Sequence, residues 1–222
     1  MSRTTRRREA RTRRTPVTDY LAAAEHGAPA VVVVHDWFGL LPEVMQQCDD
    51  LAAAGYTALG VDLYDGRTAG DPAEAESMMG GLRIAAARDH LAAAVRRLRG
   101  SPFLAPRIAA VGFSMGGWLA LHAAAKGQFD AIAAYYAVLE PPETVPMPCP
   151  VQLHLAAVDE WDPADAPALF VQALRAGGTP VDATVYPATE HSFANGAAAE
   201  FAPDAAAKAW EATLEFLTRT LG

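Results

Sequence analysis

Ser114 is the residue whose surroundings most clearly indicate chemistry. It lies in the sequence Gly112-Phe113-Ser114-Met115-Gly116-Gly117. Residues 107–111 before it, which are apolar after Arg107, predict a buried strand, and residues 118–125 after it predict a helix. Glycines around a serine between a strand and a helix are typical of a sharp, strained turn that exposes a nucleophilic hydroxyl. An incidental tight turn is the alternative, and the match of both flanks favours the nucleophile.

His191 is the predicted base for this serine, because a hydroxyl is a poor nucleophile unless a base takes its proton. It lies in the loop Tyr186-Pro187-Ala188-Thr189-Glu190-His191-Ser192-Phe193, after the last predicted strand. In this kind of site the expected chain order is serine, acid, histidine. The other histidines precede or flank the serine or lie within a predicted strand: His26, His35, His90, His122 and His154.

The acid that orients the histidine is expected after the preceding strand, where the chain offers Asp159, Glu160 and Asp162. Asp159 is nearest to the end of the strand and is the predicted acid. Asp162 is the main alternative. It stands directly before Pro163, where a helix N-cap is expected, so capping a helix would explain this aspartate without a catalytic role.

Two backbone amides are predicted to stabilise the negative oxygen that forms when a hydroxyl attacks a carbonyl. The amide of Met115 follows the nucleophile at the start of a helix. The second donor in such sites comes from the loop after an earlier strand, here the loop after His35, and the amide of Trp37 is the candidate. The identity of the Trp37 side chain carries little weight because only its backbone would act.

Strands that alternate with helices along the chain predict a parallel sheet covered on both faces. Right-handed crossovers then bring the loops at the carboxyl ends of the strands to one edge, where the candidate residues meet. The predicted strands are residues 30–35, 57–61, 107–111, 129–137, 151–156 and 181–186, and the main helices are residues 42–54, 83–99, 118–125, 163–176 and 202–221. The short connection after Tyr136 argues against a large lid.

Composition and charge restrict the function classes. The 222 residues carry a net charge of −8, but residues 1–14 hold seven Arg and one Glu, so the rest is strongly acidic. We expect residues 1–16 to be a disordered basic tail and residues 17–222 to form a single domain. An acidic body argues against nucleic acid as a partner. No apolar run reaches the length of roughly 18 residues that would span a membrane.

The cysteines and the amino terminus bear on location and cofactors. The only two cysteines, Cys48 and Cys149, do not make a disulfide framework and lack the spacing of metal ligands. No apolar segment follows the arginines, so secretion is not expected. We therefore expect a cytoplasmic protein that uses no metal and no cofactor.

The chain resembles the dienelactone hydrolase family of the α/β-hydrolase fold from about Tyr20 to its end. The resemblance rests on four stretches and on the acid loop at Asp159. The stretches are Val33-Val34-His35-Asp36-Trp37-Phe38-Gly39, Gly55-Tyr56 through Val61-Asp62-Leu63-Tyr64, residues 112–117, and Glu190-His191-Ser192-Phe193. The resemblance implies a small single-domain hydrolase with a doubly wound, mostly parallel sheet, without a lid or a metal.

Three departures from the family pattern qualify this resemblance. The best-known members have a cysteine nucleophile where this chain has Ser114, so this hydroxyl should depend strongly on His191. A glutamate near their nucleophile is matched here by Asp36, which is one methylene shorter. An arginine that helps to hold the substrate carboxylate is matched by Asn195, which cannot neutralise a charge. Arg83 is a candidate replacement, although no pattern places it in the pocket.

The predicted function is a serine hydrolase that cleaves small esters or lactones through an acyl-enzyme and acts as a monomer. Residues in loops at the active edge are candidates for its substrate pocket, with the alternative that several aromatic ones belong to the core. They are Asp36, Phe38, Tyr64, Trp161, Phe193 and Asn195. Two other functions stay open: a non-catalytic binding protein on the same scaffold, and the same triad acting on thioesters or peptides.

Overall fold

The computed structural model describes residues 18–222, so the predicted basic tail lies outside the described residues. Seven strands and six helices alternate along this part of the chain. They are β1 (Tyr20–Ala22), β2 (Ala30–Val34), α1 (Pro42–Ala53), β3 (Thr57–Val61), α2 (Pro72–Gly80), α3 (Ile84–Arg99), β4 (Ile108–Phe113), α4 (Met115–Ala124), β5 (Ala131–Tyr135), β6 (Val151–Ala156), α5 (Ala166–Ala176), β7 (Val181–Tyr186) and α6 (Pro203–Leu221).

The strands form one sheet in the order β1-β3-β2-β4-β5-β6-β7. All neighbouring pairs are parallel except β1 and β3, which are antiparallel. The predicted mostly parallel, doubly wound architecture is therefore confirmed. Strand β1 has no counterpart in the sequence analysis, because three residues at a sheet edge carry too little alternation to be recognised.

Helices cover both faces of the sheet, as β2 illustrates. Val32 and Val34 belong to the hydrophobic cluster that also contains residues of α3, α4 and α5, whereas Val31 and Val33 belong to the cluster on the other face with residues of α1 and α6. All five residues of β2 are buried. A strand between two helical layers has no polar face, which explains its unbroken run of valines.

Several element boundaries differ from the sequence prediction, and two of these differences bear on the site. Helix α5 begins at Ala166 rather than at Pro163, and Asp165 occupies its N-cap position. Asp162 is therefore not a helix cap. Strand β5 ends at Tyr135, because Tyr136 adopts a φ of 38°, outside the range of a strand. Residues 136–150 connect β5 to β6 without a helix or strand, so no lid is inserted there.

None of the helices within residues 18–222 combines the length and apolarity needed to cross a bilayer. Within the same residues, no group of three or more His, Cys, Asp or Glu side chains is arranged to hold a metal ion.

The start of α4 lies directly against the end of β2, and Gly116 makes this approach possible. A Cβ atom on Gly116 would lie 2.3 Å from the carbonyl oxygen of His35 and 2.4 Å from that of Val34. A Cβ atom on Gly112 would lie 2.7 Å from the Cα atom of Gly117. Backbone atoms cannot move aside as a side chain would, so both positions require glycine.

We predict that Gly116→Ala lowers the free energy of unfolding by about 1–3 kcal/mol, as is typical when a tightly packed site is overfilled. The matched control is Gly80→Ala in α2, where an added Cβ has no neighbour within 4 Å. That control should change stability by less than about 1 kcal/mol, because alanine favours a helix over glycine. Urea unfolding measures both values, and equal stability of the two variants would contradict this account of the close approach.

Two histidines are buried near the carboxyl ends of strands. His35 accepts a hydrogen bond at Nε2 from the amide of Leu63 at 3.0 Å, and its Nδ1 donates to the carbonyl of Asp36 at 2.6 Å. Burial lowers the pKa of His35 to about 4 and that of His154 to about 3. Both rings are therefore neutral in the folded protein at pH 7.

We predict that acid destabilises the protein through these two histidines. The unfolded chain takes up their protons near pH 6.5, whereas the folded protein does not until pH 4 or below. Stability should therefore be full above pH 6.5 and fall with decreasing pH, by up to about 1.4 kcal/mol per pH unit for each ring. Urea unfolding at several pH values and NMR titration of both rings test this. Midpoints near pH 6.5 in the folded protein would contradict it.

Candidate active site

Ser114 stands between β4 and α4 in a backbone conformation that residues other than glycine rarely adopt. Its φ is 50° and its ψ is −121°. Its amide donates to the carbonyl of Tyr135 at 3.0 Å, and its own carbonyl accepts from the amide of Trp118 at 2.9 Å. These two bonds anchor the turn to strand β5 and to helix α4, and they maintain a strain that is characteristic of functional sites.

A chain of hydrogen bonds joins Ser114, His191 and Asp159. The hydroxyl of Ser114 is 2.8 Å from Nε2 of His191, and Nδ1 of His191 is 2.8 Å from each carboxylate oxygen of Asp159. The side chains of His191 and Asp159 are 13% and 12% exposed, so water competes little for these bonds. In this arrangement His191 can take the serine proton while the carboxylate holds the ring and stabilises its cation.

The loops that carry Asp159 and His191 are held together by Thr189, which the sequence analysis did not single out. Its hydroxyl accepts from the amide of Ala157 at 3.2 Å, and its carbonyl accepts from the amide of Val158 at 3.0 Å. The hydroxyl also donates to the carbonyl of Tyr186 at 2.7 Å. A threonine two residues before a histidine is no motif in itself, so only the fold reveals this contact.

Aromatic side chains restrict the ring of His191. The centroid of its ring is 5.0 Å from that of Tyr136 and 5.7 Å from that of Trp161. Trp161 in turn makes an edge contact with Trp37 at 5.1 Å. The imidazole therefore has limited freedom to rotate away from Ser114.

The two amides predicted to stabilise an oxyanion lie beside the nucleophile. Met115 is the first residue of α4, and Trp37 follows β2, the strand against which α4 starts. Neither amide donates a hydrogen bond to another group within residues 18–222. Both residues also line the cavity that contains Ser114.

Asp36 and Asn195 bind each other and do not contact the nucleophile. One oxygen of Asp36 accepts from the amide of Phe38 at 2.9 Å, and the other accepts from the side-chain amide of Asn195 at 2.6 Å. Burial raises the pKa of Asp36, and these two donors oppose the rise. The structure contains no hydrogen bond between Asp36 and Ser114, so the shorter side chain is used to hold the loop of Trp37 and Phe38.

The aromatic pocket candidates fall into different environments. Phe193 is fully buried and packs against Tyr136 and Tyr186, so it belongs to the core and its prediction as a pocket residue is corrected. Tyr64 is also buried, with its hydroxyl 3.6 Å from the sulfur of Met115. Trp161 is 54% exposed and lines the cavities at the site.

Two adjoining cavities meet at His191, Trp37 and Trp161. The inner cavity, of about 250 Å³, is lined by Trp37, Met79, Ser114, Met115, Trp118, Tyr136, Ala137, Val138, Trp161, Asp162 and His191. The outer cleft, of about 360 Å³, is lined by Trp37, Phe38, Pro72, Val158, Glu160, Trp161, Glu190, His191, Ser192, Ala197, Ala198, Ala199 and Glu200. Neither lining contains Asp36, Asn195 or Arg83.

A larger hollow of about 570 Å³ lies at the opposite edge of the sheet. It includes Arg107, Asp182 and Arg219, and these charged groups already bind other groups of the same chain. Arg219 pairs with Asp182, and Arg107 donates to the carbonyls of Thr220 and Gly222. The inner cavity is the better active-site candidate because it contains the hydrogen-bonded serine and histidine.

Comparison with known proteins identifies relatives along nearly the whole chain. A model of the dienelactone hydrolase family matches residues 17–221. The carboxymethylenebutenolidase of Pseudomonas putida is 29% identical over 207 residues, which cover 87% of this chain and 87% of that protein. The carboxymethylenebutenolidase of Pseudomonas sp. strain P51 is 30% identical and covers 86% of this chain and 84% of its own length.

Comparison with solved structures also identifies similar proteins over most of the chain. The structure named m3DLH is 30% identical, has a TM-score of 0.75 and covers 88% of each chain. The apo form of Thermogutta terrifontis esterase 2 has a TM-score of 0.73 and covers 90% of this chain and 88% of that chain. At 18% identity, the esterase shows a shared fold and no more.

We predict that Thr189→Val slows the reaction of Ser114 with a fluorophosphonate by about 10- to 100-fold, because small displacements of reacting groups carry penalties of this size. Valine keeps the shape of threonine but cannot accept a hydrogen bond from the Ala157 amide. Thr189→Ser, which keeps the hydroxyl, is the matched control and should react within about 3-fold of the parent. Equal labelling rates for all three folded proteins would show that Thr189 does not position the histidine.

Proposed function

The chain belongs to the dienelactone hydrolase family, and we propose that it is a serine hydrolase that cleaves small carboxylic esters or lactones through an acyl-enzyme. The observation that carries the proposal is the unbroken chain of hydrogen bonds from Ser114 through His191 to Asp159. Such a chain is what a hydroxyl requires to act as a nucleophile near neutral pH.

In the first step, the Ser114 oxygen attacks the substrate carbonyl while its proton passes to Nε2 of His191. The imidazolium that forms donates from Nδ1 to Asp159, which stays ionised. The Asp159 carboxylate is held for this purpose, since Oδ1 also accepts from the amide of Trp161 at 3.1 Å. The acid loop therefore cannot turn away without losing a second hydrogen bond.

The oxyanion of the tetrahedral intermediate would be stabilised by the amides of Met115 and Trp37. Met115 is also the first residue of α4, so the positive end of the helix dipole lies at this point. Such donors, fixed before the reaction begins, typically account for about 100- to 1000-fold in turnover each. Asp36 supports the second donor, because its bond to the amide of Phe38 fixes the loop in which Trp37 lies.

The second half of the reaction reverses these proton transfers. The His191 imidazolium donates its proton to the leaving alcohol oxygen as the carbon–oxygen bond breaks, which leaves an acyl group on Ser114. Water then enters, loses a proton to His191 and attacks the acyl carbonyl. The serine oxygen departs with the proton from His191, and the carboxylic acid is released.

The dimensions of the site favour a small substrate. The inner cavity of about 250 Å³ is near the lower end of typical ligand sites, and its lining is mostly apolar. The relatives named carboxymethylenebutenolidase act, by that name, on a butenolide, a lactone. We infer an ester or lactone of similar size for this chain, with a cytoplasmic location supported by two buried, unpaired cysteines, Cys48 and Cys149.

We predict that Ser114→Ala lowers kcat/KM for 4-nitrophenyl acetate by at least about 1000-fold, because removal of a triad nucleophile leaves only the contribution of the remaining site. Ser77→Ala, an exposed serine in α2, is the matched control and should retain full activity. A Ser114→Ala variant that hydrolyses the ester as fast as the parent would refute the proposal.

The two remaining alternatives give different results in the same assays. A non-catalytic binding protein would be folded but would not react with a fluorophosphonate at Ser114. Preference for a thioester or peptide would appear as a higher kcat/KM for that substrate than for the matched oxygen ester, with the same dependence on Ser114. A panel of lactones, esters, thioesters and a peptide amide therefore distinguishes all three functions.

A further inference from the structure

Asp162 lies in the wall of the cavity that holds the nucleophile. It lines the inner cavity together with Ser114, Trp118 and His191. Apart from His191, it contributes the only ionisable carboxyl or amino group of that lining, which contains no lysine or arginine. A substrate bound to Ser114 would therefore meet this carboxyl group.

Asp162 neither caps a helix nor orients the histidine. Asp165, not Asp162, occupies the N-cap of α5. Asp159 directs both oxygens to His191, so the alternative of Asp162 as the triad acid is not the arrangement observed. Among residues 18–222, Asp162 makes no side-chain hydrogen bond and no ion pair.

Asp162 is mostly ionised at pH 7 although its surroundings raise its pKa. Burial raises its pKa to about 6, with further rises from Asp159 and Glu140 and an opposing effect from His191. Asp159 is already paired with His191, so the Asp162 carboxylate has no cation dedicated to it. Arg88 lies 5.0 Å from the Trp118 ring centroid but does not line the cavity.

The outer cleft has the same sign of charge. Its lining contains Glu160, Glu190 and Glu200 and no lysine or arginine. All three are exposed. They add to the negative charge around His191, which lines both cavities, and like charges repel a carboxylate over distances of about 10 Å at ordinary ionic strength.

We propose that Asp162 is a specificity-determining residue that discriminates against esters bearing a carboxylate and favours uncharged or cationic ones. The proposal rests on the hydrolase function proposed above and names the substrate class of that site. Specificity of this kind arises from repulsion of the wrong substrate as much as from attraction of the right one. Asn195 is bound to Asp36 outside both cavities, so the cavity that holds Ser114 has no side-chain amide to receive a substrate carboxylate.

The test uses three 4-nitrophenyl esters with acyl chains of similar length: the hexanoate, the adipate monoester and the 5-(trimethylammonio)pentanoate. The measured quantity is the ratio of kcat/KM for each charged ester to that for the neutral one, in which pH effects common to all three esters cancel. At pH 8 we expect Asp162→Asn to raise the anionic-to-neutral ratio about 10-fold and to lower the cationic-to-neutral ratio. Asp162→Glu, which keeps the charge, should retain the parent ratios.

The pH dependence provides a second readout. Between pH 8 and pH 5.5 the parent should accept the anionic ester progressively better relative to the neutral one, because Asp162 gains its proton near pH 6. Asp162→Asn should show no such change. Asp165→Asn, which removes an exposed charge three residues away, is the matched control and should behave as the parent.

The outcomes separate the two proposals. If the parent hydrolyses all three esters and Asp162→Asn leaves both ratios unchanged, the role of Asp162 is refuted while the hydrolase function stands. If the folded parent hydrolyses none of them, the proposed function fails and this inference fails with it. A parent that prefers the anionic ester at pH 8 would also refute the role of Asp162.

Discussion

The close approach between the start of α4 and the end of β2 is the constraint on which the site depends. The carbonyls of Val34 and His35 lie where a side chain at position 116 would be. With α4 held against β2, the turn that precedes it has to reverse sharply, and Ser114 takes the strained conformation that follows from this. The same contact brings the helix N-terminus beside the loop after β2, so both candidate oxyanion donors lie next to the nucleophile.

The order of the strands assembles the other half of the site. Ser114 follows β4, Asp159 follows β6 and His191 follows β7, and these strands lie on the same side of β2 in the sheet. Because the strands are parallel, their carboxyl ends meet at one edge. Thr189 then holds the histidine loop to the acid loop, and the ring of Tyr136 packs against the ring of His191. Residues that are 77 positions apart in the chain reach hydrogen-bond distance through this topology.

The sequence was sufficient to predict the features that depend on the local pattern of apolar residues and on the order of residues along the chain. The alternating fold follows from apolar strands such as Ala30–Val34, and the positions of Ser114, Asp159 and His191 relative to strand ends predicted that they meet. The sequence was insufficient to predict the contacts that a side chain makes with residues far away in the chain. The pairing of Asn195 with Asp36 and the burial of Phe193 depend on packing between loops 159 residues apart or against the core.

If Ser114 carries the acyl group, a carbamate ester should trap it there, because carbamoyl-enzymes release their group slowly. On mixing with excess 4-nitrophenyl dimethylcarbamate, we expect rapid release of one equivalent of 4-nitrophenolate per active site. Peptide mapping by mass spectrometry should then place the carbamoyl group on the peptide that contains Ser114. Steady hydrolysis without a burst, or a carbamoyl group on any other residue, would rule out Ser114 as the nucleophile.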